Sequence, residues 1–255
     1  MPAGGVNILG VQVSPLNLQT SADQINAWIR TRTPAYVCVT GVHGIMEANR
    51  DPQLLAMHNQ AGMVTPDGMP LVYLCRLAGF NKSGRVYGPD LMDEMCRQSL
   101  QLGHRHFLYG TTPETLAELS KRLSLKYPGL QIAGSYSPPF RPLDKEESLE
   151  IAARINETNP DIVWVGLSTP KQERWMAEHR GLLRAPVLIG VGAAFDFHAG
   201  KVRQAPRWIQ PLCLEWLFRL AVEPRRLWRR YLYNNPRFLV GLLLQWLHLR
   251  RYDPF

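Results

Sequence analysis

Five times in this chain a short apolar run ends in a turn of small, polar or acidic residues and passes straight into a helical pattern. Ala35–Thr40 runs into Gly41-Val42-His43, and residues 61–64 into Thr65-Pro66-Asp67-Gly68. Arg105–Tyr109 runs into Gly110-Thr111-Thr112-Pro113, Asp161–Leu167 into Ser168-Thr169-Pro170, and Val187–Val191 into Gly192-Ala193-Ala194. Continuous apolar runs of this length suit strands buried on both faces. Their alternation with helices predicts an α/β fold, a mostly parallel sheet with helices on both faces. Further strands are predicted at Val6–Val13 and Leu130–Ala133. Helices are predicted after Ser21, which stands three residues before Gln24 as in a capping box, and from about Lys145.

In an open sheet of this kind, ligands bind outside the carboxyl ends of the strands. The five turns are therefore the places to look for chemistry. The turn 64–70 has a carboxylate, Asp67, between a buried strand and the helix marked by Leu71, Val72, Leu74, Cys75 and Leu77. A helix N-terminus beside it favours the charged form. Asp67 is the candidate general base, and an N-cap aspartate is the competing reading. Thr40 occupies the matching place one turn earlier. His43 follows it as a ligand or acid candidate, with a hydrogen-bonded structural histidine as the alternative.

The other turns supply candidate substrate contacts. Gly110 and Thr111, ahead of Pro113, suit the approach of an anion to a helix start. Lys171, Gln172 and Glu173 open the helix after Pro170, and Gly192 and Asp196 follow the last strand. Arg85 and Asp90 flank the start of a helix with Leu91, Met92, Met95 and Cys96 inward. Asp90 also reads as an ordinary N-terminal helix charge.

The last fifth of the chain differs in kind. Residues 201–255 hold 11 Lys/Arg against three acidic residues, while the first 200 balance 18 against 18. Trp208, Trp216, Trp228 and Trp246 lie there too. This shift predicts an α/β domain over 1–200 and a basic helical appendage over 201–255. One helix is expected over Pro206–Val222, a second from Pro224 broken at Asn234-Asn235-Pro236, and a third to about Arg250. Arg226 and Arg229 share a helix face, flanked by Arg225 and Arg230. The run 238–249 is too short to span a bilayer and reads equally as packing or as membrane contact. Arginine beside Trp and Leu suits a helix lying on an anionic surface. Cys38, Cys75, Cys96 and Cys213 are scattered, which predicts reduced thiols and no zinc site. No secretory signal is read at the start of the chain.

Gly190-x-Gly192 lacks the third glycine of a dinucleotide fingerprint, and no P-loop, nucleophile elbow or Asp-x-Asp pair occurs. Several ordered blocks do carry a resemblance. PDGMPLV (66–72), RVYGPDL (85–91), VGLSTPKQERW (165–175), GVGAAFDFHAGKVRQAPRW (190–208) and LEWLFRLAVEPRR (214–226) resemble the WecG/TagA/CpsF family of bacterial glycosyltransferases. The resemblance runs from about Asn7 to Phe238. It implies a Rossmann-like core with a helical appendage. The implied activity is inverting transfer, without a metal or other cofactor, from a UDP-sugar to an undecaprenyl-diphosphate-linked acceptor at the inner face of the cytoplasmic membrane.

Asp67 then matches the catalytic aspartate and Thr40 a pocket threonine. Arg219, Arg226 and Arg229 match appendage arginines that close over the diphosphate. Many members have Thr-x-Asn where this chain has Thr40-Gly41-Val42, which puts an asparagine contact to the sugar in doubt. PDGMP and RVYGPDL look most like exopolysaccharide-pathway members, so the expected donor is of the glucose or N-acetylhexosamine type. The alternative is transfer of N-acetylmannosamine or mannosaminuronic acid, of the wall teichoic acid or enterobacterial-antigen type. From other classes, a basic nucleic-acid-binding α/β protein or an inactive assembly scaffold are the rivals. No nucleic-acid module is present, so no nucleic acid partner is expected; an oligomer is compatible with the sequence.

Overall fold

Six strands form the main sheet of the computed structural model, which describes residues 4–206 and 208–253. The elements begin with two short strands, β1 (Val6–Ile8) and β2 (Val11–Val13), then α1 (Leu18–Thr31), β3 (Ala35–Thr40), α2 (Val42–Arg50) and α3 (Pro52–Gln60). There follow β4 (Met63–Pro66), α4 (Met69–Leu77), α5 (Gly88–Leu102), β5 (Arg105–Gly110), α6 (Pro113–Lys126) and β6 (Gln131–Tyr136). The rest is α7 (Lys145–Glu157), β7 (Ile162–Gly166), α8 (Lys171–His179), β8 (Val187–Gly190), α9 (Ala194–His198), α10 (Glu215–Val222) and α11 (Pro224–Trp246), with a 3₁₀ turn at Gln210–Leu212. The sheet order is β4-β3-β8-β7-β5-β6. The pairs β3–β8, β8–β7, β7–β5 and β5–β6 are all parallel. This is the mostly parallel α/β architecture that the alternating pattern predicts.

By packing, the chain divides into two units. One comprises the described residues of Met1–Asn17, Val39–Tyr87 and Gln204–Phe255; the other comprises Leu18–Cys38 and Gly88–Arg203.

The second unit holds the middle of the sheet. Phe107, Leu108, Val163, Trp164, Leu188 and Ile189 are essentially inaccessible to solvent. One polar chain crosses this core. The Trp164 indole donates to His106 Nδ1 at 2.8 Å, His106 Nε2 lies 2.9 Å from Ser99 Oγ, and Ser99 donates to the Met95 carbonyl. The order is self-consistent only if His106 is neutral with its proton on Nε2. Burial enforces that state by pushing its pKa down to about 3.

In the first unit, the predicted single strand Val6–Val13 is instead a hairpin. Leu9 and Gly10 take positive φ of 52° and 97°, the arrangement of a tight two-residue turn, and Val6 pairs with Val13 antiparallel. The predicted capping box is also displaced. Helix α1 begins at Leu18, so Ser21 lies a full turn inside it and is buried.

The tail is more continuous at its end, and less helical at its start, than its prolines suggest. Left-handed Cys213 (φ 59°), after the 3₁₀ turn, delays the first helix to Glu215. Asn234-Asn235-Pro236, by contrast, does not end α11, which runs from Pro224 to Trp246. Proline in a helix interior removes one hydrogen bond and clashes with the preceding turn, so tertiary contacts must hold the helix here. Asn234 is buried, receives 2.6 Å from Arg50 Nη2, and lies 3.0 Å from His43 Nδ1. Gln245 clamps the other end to the hairpin, accepting from Leu9 N–H and donating to the Asn7 carbonyl. The run 238–249 divides by face. Phe238 and Gly241 are buried, while Leu239 (66% exposed), Leu243 and Trp246 (76%) face outward. No described helix is long and apolar enough to cross a membrane. None of the four cysteines is in a disulfide, and three of them are buried.

Replacing Trp164 with Phe leaves His106 Nδ1 as a buried acceptor without its donor. The expected loss is about 1–3 kcal/mol, read from the midpoint of urea unfolding; an unchanged midpoint would refute the proposed order of the chain.

Candidate active site

The site builds from the turn after β4. The Asp67 N–H donates to the Thr40 carbonyl at 3.0 Å, and Val86 N–H donates to the Pro66 carbonyl at 2.9 Å. These two bonds fasten the Asp67 turn between the end of β3 and the segment carrying Arg85. Helix α4 takes Gly68 as its N-cap, with no side-chain cap, so the N-cap reading of Asp67 fails. Its carboxylate turns toward Gly41, where an added Cβ would lie 3.7 Å from Oδ2. Oδ1 is buried and has no hydrogen-bond partner among the described residues. Thr40 is only 2% exposed at the same strand end.

Positive charge surrounds this carboxylate. Arg85 Nε donates 2.6 Å to the Asp67 backbone carbonyl, and its Nη2 pairs with Glu215 of α10 at 2.6 Å. Its guanidinium lies 4.0 Å over the Tyr87 ring. Arg85 is thus held on three sides, while its buried Nη1 has no partner among the described residues. Arg219 of α10 and Arg230 of α11 also act on Asp67. Burial lifts the Asp67 carboxyl from 3.8 to about 6, with Arg85, Arg219 and Arg230 opposing the rise and Glu215 adding to it. The helix N-terminus was expected to favour the charged form, but desolvation outweighs it. A carboxylate with this pKa is charged at neutral pH yet remains a competent proton acceptor.

The arginines of the tail occupy unequal places. Arg219 and Arg230 are half-buried, and burial pulls Arg230 below its usual range. Arg226 is exposed and pairs with Glu223 at 2.8 Å, while exposed Arg229 lies over the Trp228 ring. Arg230, treated as a mere flank in the sequence, falls in line with buried Leu227, Asn234 and Phe238. That spacing is the signal that points it inward. Glu215 and Tyr87 carried no comparable signal. A cavity of about 500 Å³ is lined by Arg229, Arg230, Trp228, His43, Glu47 and Asn234, among others. His43 therefore meets both of its readings: it is hydrogen-bonded to Asn234 and it lines a cavity.

The remaining candidates lie in the other unit. Gly110 ends β5 at φ 126°, where a Cβ would come within 2.6 Å of the Gly166 carbonyl, so only glycine fits. Thr111 follows at positive φ and accepts from Ser137 through its carbonyl. In the first turn of α8, Gln172 and Glu173 are almost fully buried. Glu173 Oε1 accepts from Thr169 and from Gln172, while Glu173 Oε2 and Gln172 Oε1 are buried without partners among the described residues. Both oxygens can accept from hydroxyl or N–H donors. Gly192 stands beside Gln172, with an added Cβ 3.5 Å from its Oε1. Lys171 and Asp90 are exposed at the first turns of α8 and α5. Asp196 lies in the first turn of α9, its backbone carbonyl accepting from Lys201. Among the described residues, no group of three His, Cys, Asp or Glu side chains is placed to hold a metal ion.

An α/β sheet with a poised carboxylate at one strand end and inward arginines beside it is an arrangement suited to transfer of an activated, anionic-leaving-group sugar. Comparison with known proteins gives the class directly. A family model described as the glycosyl transferase WecG/TagA/CpsF family matches residues 6–252. The chain belongs to that family and is a glycosyltransferase. It is 33% identical over 197 residues to a Bacillus spizizenii protein, covering 77% of this chain and 74% of that one. A Bacillus subtilis protein is 30% identical over 207 residues, covering 81% and 78%. A Staphylococcus aureus protein is 26% identical over 227 residues, covering 88% and 87%. All three are named N-acetylglucosaminyldiphosphoundecaprenol N-acetyl-beta-D-mannosaminyltransferase.

The raised pKa has a consequence for stability. Asp67 contributes stability in full below about pH 4, and that contribution is lost as pH rises through about 6, because the fold disfavours its charge. Asp67→Asn is therefore expected to unfold no more easily than the parent at pH 8, with a gain of up to about 3 kcal/mol. Thermal melts of both proteins across this range check it; a variant destabilised at pH 8 would show that the carboxylate is a structural anchor.

Proposed function

We propose that the chain transfers N-acetylmannosamine from its UDP-sugar to an N-acetylglucosaminyl diphosphate carried on undecaprenol, with inversion and without a metal. The observation that carries this reading is the raised pKa of Asp67 inside a cluster of arginines, with its Oδ1 buried and without a partner among the described residues. The names of the relatives favour N-acetylmannosamine over the glucose or exopolysaccharide donor that parts of the sequence suggested.

Asp67 takes the proton of the acceptor hydroxyl as that oxygen attacks the donor's anomeric carbon. The bond from that carbon to the diphosphate oxygen breaks, and UDP departs with an additional negative charge. Arg219 and Arg230, with Arg226 and Arg229 nearer the surface, stabilise the diphosphate by charge-assisted hydrogen bonds. Arg85, already fixed by Glu215 and Tyr87, turns Nη1 toward the same charge and keeps the Asp67 turn in place. Thr40, at the strand end beside the Asp67 turn, is a proposed donor contact; Gly110, Thr111, Gln172, Glu173, Gly192, Asp90, Lys171 and Asp196 belong to the other unit and are proposed as polar substrate contacts of that unit by itself. The outward apolar face of α11 and the basic tail support peripheral attachment at the inner face of the cytoplasmic membrane.

A donor screen tests the proposal. Purified protein with a lipid-diphosphate N-acetylglucosamine acceptor is offered UDP-N-acetylmannosamine, UDP-N-acetylglucosamine, UDP-glucose and UDP-glucuronic acid, each with and without EDTA. UDP release is expected with the first donor and unchanged by EDTA. Release only from UDP-glucose would return the donor to the exopolysaccharide type, and loss of activity in EDTA would refute stabilisation by arginine alone. Asp67→Asn is expected to lower turnover by about 10²–10⁴-fold.

A further inference from the structure

A second cavity, of about 560 Å³, opens along α11 next to the first. Its walls are of two kinds. Leu9, Met46, Val240 and Leu244 make an apolar side, while Arg50, Arg237 and Arg250 make a cationic one. Arg50 lines both cavities. Arg237 and Arg250 are exposed. They are oriented by aromatic rings, Arg237 at 3.2 Å over Tyr233 and Arg250 at 5.0 Å over Tyr252, and among the described residues neither is paired with a carboxylate. A guanidinium stacked by its face keeps its N–H edge available for the paired hydrogen bonds that phosphate oxygens accept.

We propose that this cavity holds the diphosphate of the lipid-linked acceptor, with the prenyl chain leaving over the outward face of α11; the inference rests on the acceptor proposed above. The spacing along the helix supports it. Arg230, beside Asp67, and Arg237, in the second cavity, are seven residues apart on α11. That is two turns and roughly 10 Å along one face, so the two cavities lie in succession along the helix. The acceptor sugar occupies the first, between Trp228, Glu47, His43 and Arg230, the arginine whose charge also acts on Asp67. Its diphosphate occupies the second. From there Val240, Leu243 and Trp246 continue outward as exposed apolar surface.

The occupant must be both anionic and apolar. A free phosphate would leave Leu9, Met46, Val240 and Leu244 without a partner, and a neutral lipid would leave the Arg237 and Arg250 guanidiniums uncompensated, Arg50 being already paired with Glu47. A long prenyl chain bearing a diphosphate satisfies both walls. This assigns the acceptor's lipid carrier to residues separate from Arg219, Arg226 and Arg229, which serve the departing UDP.

The test uses the double variant Arg237→Gln/Arg250→Gln, at exposed positions outside the core. Two soluble acceptors are compared in detergent-free buffer without vesicles: a short-chain prenyl diphosphate bearing N-acetylglucosamine, and an alkyl N-acetylglucosaminide with no phosphate. The variant is expected to raise KM for the diphosphate acceptor by about tenfold or more, the effect of losing charge-assisted hydrogen bonds, and to leave KM for the alkyl glycoside at its parental value. Calorimetric titration with farnesyl diphosphate is expected to show the same loss of affinity independently of turnover. An unchanged KM and unchanged farnesyl diphosphate affinity would overturn the assignment. So would an equal loss on both acceptors, which would make the arginines structural, or, in a parallel assay with anionic vesicles added, a defect seen only there, which would make them a general membrane anchor. A parent protein that binds farnesyl diphosphate through these arginines yet transfers to neither acceptor would contradict the proposed activity while upholding the site.

Discussion

A carboxylate held out of water beside three guanidiniums is the constraint on which the functional part of this molecule depends. Asp67 pays for its burial with a pKa near 6, and without Arg85, Arg219 and Arg230 the rise would be larger. Each of those arginines is positioned by a different part of the chain. Arg85 follows the turn itself, Arg219 comes from α10 and Arg230 from α11. Glu215 moderates the field by pairing with Arg85. Asp67, Glu215 and the three arginines are therefore one electrostatic unit, and changing any charged member changes the basicity of Asp67.

The polar clamps on α11 follow from the same need. A helix containing Pro236 could present Arg230 inward only if its register were fixed on both sides of the proline. Asn234 does this through His43 and Arg50, and Gln245 does it through the hairpin at Leu9 and Asn7. Of the residues that hold the helix, His43, Arg50, Asn234 and Leu9 also line the cavities along it. Tail and Asp67 turn pack within one unit, so the appendage expected from composition is structurally tied to the turn that carries this carboxylate.

Much of the fold was legible because buried parallel strands leave uninterrupted apolar runs. Five strand–turn–helix passages were placed within a few residues, and Asp67 stood out as the carboxylate in such a turn. What escaped the sequence was governed by contacts distant along the chain. The Leu9-Gly10 turn hides inside an apolar run, with no Asn-Gly or Asp-Gly pair to announce it. Continuity of α11 through Pro236 depends on partners 184 and 191 residues away, Arg50 and His43. Arg230 was overlooked beside Arg226 and Arg229 because charge clustering drew attention to the outer face; the period of Leu227, Asn234 and Phe238 identifies the inner one. Glu215 and Tyr87 acquire a role only through Arg85. The sign of the Asp67 shift was also beyond the sequence, since the depth of burial decides it.

The most direct measurement of the central claim is the pH dependence of kcat/KM for the parent, Arg230→Gln and Glu215→Gln proteins from about pH 5 to about pH 8. The parent is predicted to lose activity below an apparent pKa of about 6. Removing Arg230's charge should move that limb to higher pH, and removing Glu215's charge should move it to lower pH. A profile that is flat through this range, or a limb that neither substitution moves, would contradict Asp67 as the base within this arginine cluster.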